Sequence, residues 1–334
     1  MKSLDISQQN LINLFGAYDK NAKIIQSRMN VRLVAADGKL LIYGQAEEDE
    51  DKTKQLFESL IRLIGMGYAV DDEKVIESID LALEGRTDDI IELSTQAIAH
   101  NARGEAIYCK TIGQRRYVKM IEKKQLVFGI GPAGTGKTFL AVVMAAKAFK
   151  AGHVQKIVLT RPAIEVGEKL GFLPGDMQDK VDPYLRPLYD ALEIMFGDSY
   201  DRLIERGIIE VAPLAYMRGR TLSNAFIILD EAQNTTDEQM KMFLTRMGEN
   251  SRMIVNGDLS QSDLPSHINR GLQTAIKVLK DIDEIAVCTL TGKDVVRNRL
   301  VRLIVKAYDE AEKQSGTKKP KLNDSQSEMG QDAE

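Results

Sequence analysis

A glycine-rich stretch near the middle of the chain constrains the fold more than any other feature. Residues 131–138, Gly-Pro-Ala-Gly-Thr-Gly-Lys-Thr, match the pattern G-x-x-x-x-G-K-[ST] without a mismatch. The apolar run at residues 125–130 predicts a buried strand, and the apolar run at residues 138–148 predicts a helix that faces the core. A strand, a glycine loop and a helix in this order predict an α/β protein that binds a nucleoside triphosphate.

The chemistry of this loop explains its composition. Glycines let the backbone lie close to phosphate oxygens, and the free amides at the start of the helix donate hydrogen bonds to them. We expect the Lys137 ammonium to contact the terminal phosphates of ATP and the Thr138 hydroxyl to hold Mg²⁺. The predicted nucleotide-binding residues of the loop are Gly131, Pro132, Ala133, Gly134, Thr135, Gly136, Lys137 and Thr138.

A dinucleotide-binding fold is the alternative, because residues 129–134 also match G-x-G-x-x-G. That fold requires an acidic residue about 20 positions later, at the end of the second strand. The strand-like run at residues 156–160 is followed instead by Arg161, and Lys137 and Thr138 would have no role. The sequence therefore favours the triphosphate interpretation.

A second apolar strand, at residues 225–229, ends in the sequence Asp-Glu-Ala-Gln. Asp230 is predicted to hold Mg²⁺, usually through one of its waters, and Glu231 to take the proton from a water that attacks the γ-phosphate. A buried pair of carboxylates without such a role would be costly, so an exposed turn is the remaining alternative.

Three polar side chains are further candidates. Asp258 and Gln261 follow the apolar strand at residues 253–255, and we predict that they sense the γ-phosphate. Gln114 lies about twenty residues before the loop, and its amide can recognise an adenine edge or belong to an ordinary surface glutamine.

Two cation-rich segments each leave two interpretations open. The predicted insertion at residues 161–207 can bind single-stranded nucleic acid or form a subunit contact. Its candidate residues are Lys169, Lys180, Tyr184, Arg186 and Tyr189. Arg297, on a helix predicted at residues 293–308, is either a solvated side chain or an arginine finger that completes the active site of a neighbouring subunit.

Composition sets the remaining limits. A chain of 334 residues allows one large or two modest domains, and a net charge of −4 gives no overall basic field. The two cysteines are far apart in sequence, which fits a reducing compartment. No secretion signal and no run of roughly 18 apolar residues is present, so we expect a cytoplasmic protein without a membrane segment.

The N-terminal residues predict a separate small α+β domain. Strand-like runs at 31–34 and 40–43 flank Asp37-Gly38, a dipeptide favoured in tight hairpins, and a long helix is predicted at 47–64. Asp5 is predicted to cap the first of two preceding helices. The arrangement resembles a KH-type RNA-binding domain, with residues 16–19 where such a domain has its G-x-x-G loop, so RNA contact and plain packing both stay open.

We therefore predict a KH-like and helical N-terminal domain at residues 1–100 and a P-loop ATPase domain at residues 101–312. Residues 101–104 are the predicted linker between them. A polar tail at residues 313–334 is expected to be disordered.

Several motifs together resemble the PhoH family over about residues 104–309. They are the loop at residues 131–138, Leu-Thr-Arg-Pro-Ala-Ile-Glu at 159–165, Gly-Phe-Leu-Pro-Gly at 171–175, Asp-Glu-Ala-Gln at 230–233 and Gly-Asp-Leu-Ser-Gln-Ser-Asp-Leu-Pro at 257–265. With the KH-like unit, the chain is similar to the PhoH-like proteins that accompany a YbeY-type endoribonuclease. The resemblance implies a RecA-like P-loop NTPase sheet, ATP hydrolysis and a ring of subunits that handles RNA. It also implies the sensing role of Gln261 and the finger role of Arg297.

The combined hypothesis is an Mg²⁺-dependent ATPase with a five- or six-stranded, mainly parallel sheet that acts on RNA. It would be a helicase or remodeller in rRNA processing or RNA turnover. The alternative is an adaptor that binds RNA under nucleotide control and recruits an endoribonuclease with little unwinding. A small-molecule P-loop kinase is a third possibility, although the sequence indicates no acceptor pocket.

Overall fold

The first hundred residues form a small antiparallel sheet covered by helices. The computed structural model describes residues 1–162, 177–261 and 270–296. The N-terminal elements are β1 (Lys2–Asp5), α1 (Gln8–Phe15), α2 (Lys20–Met29), β2 (Val31–Ala36), β3 (Lys39–Gly44), α3 (Glu47–Gly65), α4 (Asp72–Leu83) and α5 (Asp88–Thr95). The strand order is β1-β3-β2, and the predicted hairpin at Asp37-Gly38 joins β2 to β3. Both hairpin residues have positive φ, as a tight turn of this kind requires.

Strand β1 corrects the predicted start of the chain. Asp5 lies in this strand opposite Lys39, so it is not the cap of the first helix. Ser7 is the cap, since its hydroxyl accepts a hydrogen bond from the backbone N–H of Asn10 at 3.2 Å. The KH-like assignment stays a prediction.

A short hairpin follows at the predicted linker. Strands β4 (Ala99–His100) and β5 (Ala106–Ile107) pair antiparallel, and residues 101–104 form the turn between them. Asn101 closes this turn by accepting hydrogen bonds from the backbone N–H groups of Arg103 and Glu105. This segment is therefore a hydrogen-bonded turn, and both its role as a linker and the domain boundary at residue 100 stay predictions.

Six parallel strands form the large sheet, in the order β11-β6-β10-β9-β7-β8. Its elements are α6 (Ile112–Lys123), β6 (Leu126–Ile130), α7 (Lys137–Lys150), β7 (Lys156–Arg161), α8 (Met177–Phe196), α9 (Tyr200–Glu205), β8 (Ile209–Pro213), β9 (Ala225–Leu229), α10 (Asp237–Leu244), β10 (Arg252–Gly257), α11 (Gly271–Leu279) and β11 (Ile285–Thr289). The predicted α/β fold with a mainly parallel sheet is confirmed.

The alternating side chains of the strands divide the core into two layers. In β9, Phe226 and Ile228 contact the layer of α6, α7 and α8, whereas Ile227 and Leu229 contact the layer of α10 and α11. All five residues of β6 are buried, as expected for a central strand covered on both faces. The two helix layers therefore hold β6, the strand that leads into the glycine loop, in a fixed position.

The predicted insertion is partly described, and it contains a long helix. In α8, Leu185, Leu188 and Leu192 are buried against the sheet, and the ring of Tyr189 packs edge-on against Tyr200. Arg186 of the same helix is exposed. Lys169, Arg297, the side chains of Lys180 and Tyr184, and the predicted tail lie outside the described residues.

Among the helices that the structure describes, none has both the length and the apolarity that crossing a bilayer demands.

Candidate active site

The functional candidates meet at the carboxyl edge of the large sheet. A cavity of about 370 Å³ opens there, beside the start of α7 and the ends of β9 and β10. In open parallel sheets, ligands bind outside this edge of the strands. The predicted site residues that line the cavity include Lys137, Thr138, Asp230, Glu231, Asp258 and Gln261.

The glycine loop takes the backbone path that its sequence predicts. Gly136 precedes α7 with φ of +79°, a conformation that favours glycine. Gly131 lies so close to the segment after β11 that a Cβ atom would be 2.6 Å from the Leu290 carbonyl oxygen. The loop therefore tolerates no side chain at its first position.

The Lys137 ammonium lies inside the loop. Its Nζ donates to the carbonyl oxygens of Gly131 at 2.6 Å and Pro132 at 2.9 Å, and it lies 3.3 Å from the Thr135 hydroxyl. Burial lowers the pKa of Lys137, although the carboxylates of Asp230, Asp258 and Glu231 oppose this shift. The loop thus holds a buried ammonium group. A bound anionic phosphate would offset the cost of removing this group from water.

Thr138 and Asp230 form the oxygen-rich part of the site. The Thr138 hydroxyl donates to Asp230 Oδ1 at 2.7 Å, although the two residues are 92 positions apart. A hydroxyl and a carboxylate are hard oxygen ligands of the kind Mg²⁺ prefers, and Mg²⁺ sites are commonly completed by substrate phosphates and water. These residues therefore fit the predicted metal.

Arg161 is a site residue for which the sequence indicated no role here. It lies at the end of β7, and its Nε donates to Asp230 Oδ2 at 2.8 Å while a terminal nitrogen contacts the same oxygen. That terminal nitrogen is also 3.7 Å from Glu231 Oε1. The guanidinium therefore contacts both the predicted metal ligand, Asp230, and the predicted base, Glu231.

Glu231 has an unusual backbone conformation. Its φ is +55°, in the left-handed region that few residues other than glycine adopt. Such a conformation costs on the order of 1 kcal/mol and persists only when the surrounding structure imposes it. The strain directs a side chain that is 47% exposed to the cavity rather than to the core.

Gln233 joins the predicted base to the predicted sensor, and the sequence did not assign it a role. Its Nε2 donates to Glu231 Oε2 at 2.6 Å, and its Oε1 accepts the backbone N–H of Asp258 at 3.0 Å. Asp258 also accepts hydrogen bonds from Ser260, whereas its Oδ2 is buried without a hydrogen-bond partner among the described residues. Gln261 is exposed at the rim. The sensor roles stay predictions.

Gln114 lies behind the loop. It is 5% exposed; its Nε2 donates to the Thr135 carbonyl at 3.0 Å and its Oε1 accepts the Lys110 backbone N–H at 2.8 Å. These bonds fix the loop conformation from outside the cavity. Recognition of adenine by Gln114 stays a prediction. It would have to use the second N–H of Nε2 or the second lone pair of Oε1, because the two bonds to the chain occupy the others.

Helix α8 supplies a wall of the cavity that the sequence did not indicate. Pro187, Asp190, Ala191 and Ile194 line it together with residues of the glycine loop. The insertion is therefore part of the candidate active site as well as part of the core.

A parallel sheet with this loop between β6 and α7, and with carboxylates at the end of β9, defines the P-loop class of α/β proteins. The family model of the PhoH-like proteins matches residues 106–309. The chain belongs to the PhoH family.

Relatives in several bacteria match most of the chain. A PhoH-like protein of Bacillus subtilis is 50% identical over 299 residues, covering 89% of this chain and 93% of the relative. A PhoH-like protein of Mycobacterium tuberculosis is 45% identical over 307 residues, covering 92% and 87%. Protein PhoH of Escherichia coli is 42% identical over 254 residues, covering 75% and 65%.

Solved structures are less similar. The UvsW helicase from bacteriophage T4 is 12% identical, covers 86% of this chain and 90% of its own, and gives a TM-score of 0.32. That value supports no conclusion about fold or function, so the fold class rests on the strand order and the loop of this chain.

Proposed function

We propose that this chain binds and hydrolyses Mg²⁺-ATP and uses the reaction to remodel RNA, as a helicase or remodeller in rRNA processing or RNA turnover. One observation carries the ATPase part: Lys137, Thr138, Asp230 and Glu231 line a single cavity at the carboxyl edge of the sheet. Membership of the PhoH family supports a nucleotide-dependent role. The RNA part rests on the resemblance of the N-terminal unit to KH domains and on the family resemblance.

Each residue has a distinct task in this proposal. The Lys137 ammonium exchanges the carbonyls of Gly131 and Pro132 for phosphate oxygens. Thr138 and Asp230 would hold Mg²⁺, and the bound metal would supply positive charge to neutralise the phosphates. Glu231 accepts the proton of the attacking water, and Gln233 orients this carboxylate through the 2.6 Å hydrogen bond.

The predicted arginine finger adds a neighbouring subunit. Arg297 of one subunit would stabilise charge at the γ-phosphate of the next, within a homo-oligomeric ring. The chain carries one large parallel sheet in the part that the structure describes, so strand separation would require a second subunit to supply the other half of each ATP site.

A nucleotide-switched adaptor is the second candidate, and one contact favours it. Arg161 contacts both Asp230 and Glu231, so the metal ligand and the base are engaged by a cation of the chain itself. A protein that rests in this state would turn over slowly and would change conformation when nucleotide binds. In this role it would recruit a YbeY-type endoribonuclease to RNA.

ATPase rates with and without RNA, combined with light-scattering mass and unwinding of a tailed duplex, test the proposal. RNA-stimulated hydrolysis together with unwinding is the result expected for a remodeller. Nuclease recruitment that needs ATP and survives the Glu231→Gln substitution would favour the adaptor. Absence of ATP binding would exclude both.

A further inference from the structure

A positively charged groove lies along α6, apart from the cavity of the candidate active site. It has a volume of about 430 Å³ and extends between α6 and the segment around α5. Its cations are Arg86, Arg115, Arg116, Lys119, Lys123 and Lys124. Two carboxylates, Asp89 and Glu92, also line it, which leaves an excess of four positive charges. The whole chain has a net charge of −4, so the groove is a local exception.

The periodicity of α6 produces this row of charges. Arg115, Lys119 and Lys123 are four residues apart and therefore share one face of the helix. The opposite face carries Tyr117 and Val118, both fully buried in the core, so the orientation of the basic face is fixed. The eight helical steps from Arg115 to Lys123 span about 12 Å, roughly the axial rise of three or four stacked nucleotides.

The carboxylates neutralise only part of this charge. Glu92 accepts hydrogen bonds from Arg115 at 3.2 Å and from Lys119 at 2.5 Å, and Asp89 accepts one from Arg86 at 2.8 Å. The pKa of Glu92 is lowered chiefly by the Lys119 hydrogen bond. The single negative charge of Glu92 is thus shared between two cations, and the groove keeps an excess of positive charge.

The other three cations have no carboxylate partner among the described residues. Arg116 and Lys124 donate to the backbone carbonyls of Thr289 and Asp283, which orient them without cancelling their charge. Lys123 is exposed, and no ion pair joins it to any residue that the structure describes. These side chains remain able to contact an anion.

We propose that this groove binds the phosphate backbone of single-stranded RNA. The inference rests on the proposed function, in which the chain acts on RNA. A row of cations at regular spacing fits a ligand with regularly spaced anionic groups. None of the described residues lining the groove is aromatic, so binding relies on the backbone and not on base stacking or base identity.

The same helix connects the groove to the nucleotide site. Its buried face carries Gln114, which donates to the Thr135 carbonyl of the glycine loop at 3.0 Å. A strand held on the basic face therefore lies about one helix diameter, roughly 10 Å, from that loop. This position would allow RNA binding at the groove and nucleotide binding at the loop to influence each other through α6.

Fluorescence anisotropy of the full chain with a labelled oligouridylate, at several salt concentrations, tests the proposal. The Lys119→Gln/Lys123→Gln variant removes two groove cations, and Lys241→Gln/Lys277→Gln removes two exposed cations from α10 and α11 in the opposite layer. We expect the groove variant to bind roughly tenfold more weakly or worse, with a salt slope reduced by about 1.4, and the control variant to match the parent chain.

A third variant, Glu92→Gln, removes the carboxylate that pairs with Arg115 and Lys119. We expect it to bind the oligouridylate more tightly than the parent, a gain that misfolding does not produce. Thermal unfolding of each variant establishes that the fold is retained.

The outcomes separate the two hypotheses. If the parent chain binds the oligouridylate and the groove variant binds it equally well with the same salt slope, the groove proposal is overturned and the proposed function stands. If the parent chain does not bind, the groove proposal and the RNA part of the proposed function are both overturned, whereas the ATPase part is tested separately by ATP binding. Preferential binding of labelled polyglutamate, lost in the groove variant, would assign the groove to an acidic protein and overturn the RNA proposal.

Discussion

Arg161 and Asp230 form a nearly buried ion pair in which Nε lies 2.8 Å from Oδ2. The side chains of Arg161 and Asp230 are only 14% and 3% exposed. The second carboxylate oxygen of Asp230 accepts the Thr138 hydroxyl. The carboxylate proposed for Mg²⁺ is therefore already paired with a cation of the chain, so on this proposal Mg²⁺ would have to compete with the guanidinium for Asp230.

Replacing Arg161 tests that competition. We expect Arg161→Ala to lower the free energy of unfolding by roughly 3 kcal/mol in metal-free buffer, because it leaves a buried carboxylate without its cation. Added MgCl₂ is expected to restore part of the loss, because a metal ion at Asp230 takes over the role of the guanidinium. Urea unfolding with EDTA and with MgCl₂ measures both effects.

Two comparisons isolate the pair. Arg220→Ala breaks a more exposed pair with Glu210, and its effect is expected to be about 1 kcal/mol or less and independent of Mg²⁺. In an Asp230→Asn background, Arg161→Ala is expected to cost much less than in the parent chain. Equal losses in both backgrounds would show that Arg161 stabilises the fold through other contacts.

Substitutions of Lys137 and Glu231 are expected to impair different steps, nucleotide binding and hydrolysis respectively. Lys137→Ala should abolish nucleotide binding, because it removes the cation that the glycine loop holds. Glu231→Gln should bind nucleotide normally and hydrolyse it roughly two or more decades more slowly, since it removes the proposed general base. Binding of a fluorescent ATP analogue and single-turnover hydrolysis measure the two steps. Equal loss of binding in both variants would contradict these roles.

Local patterns predicted the parts of the site that are continuous in sequence. The glycine loop and the carboxylates at the end of β9 each occupy a short segment between an apolar strand and a polar turn. The contact of Arg161 with Asp230 depends on β7 and β9 being neighbours in the sheet. Apolar periodicity identifies strands but not their order, so this pair, 69 positions apart, could not be predicted.

Other differences have equally specific causes. Strand β1 is a four-residue segment, Lys-Ser-Leu-Asp, held by backbone pairing with β3, which its side chains do not indicate. Residues 161–207 were predicted only as an insertion, without a helix, whereas Leu185, Leu188 and Leu192 at helical spacing were the informative signal for α8. The left-handed backbone of Glu231 has no local cue, because glutamate rarely adopts it without tertiary constraint.

Gln233 is expected to act as a positioning residue. Gln233→Ala removes the amide that holds Glu231 and the acceptor for the Asp258 N–H. We expect kcat for ATP to fall by up to roughly a hundredfold, because a misplaced base loses its orientation, while KM changes little. Thr245→Ala, which removes a hydroxyl bonded to carbonyls at the end of α10, is the control and should leave both constants unchanged. A rise in KM with unchanged kcat would contradict the positioning role.

Alkaline pH should destabilise the protein through three acids buried in the layer of α6. Burial raises the pKa of Cys109 from 9.0 to about 11, and it also raises the pKa of Cys288 and of Tyr117. The unfolded chain therefore loses these protons at lower pH than the folded chain, so the stabilisation is complete below pH 9.0 and is lost as pH rises to about 11. The Cys109 contribution is about 3 kcal/mol.

Thermal unfolding between these two pH values, with Ellman's reagent as a second measurement, checks this expectation. Native protein should react slowly with the reagent, because both thiols are buried, and unfolded protein should react at once. Cys109→Ala should lower stability at neutral pH by leaving a small void, yet it should flatten the alkaline decline. A Cys109→Ala variant whose stability falls as steeply as that of the parent would show that the loss arises from Cys288 and Tyr117, or from lysines that lose their charge in the same range.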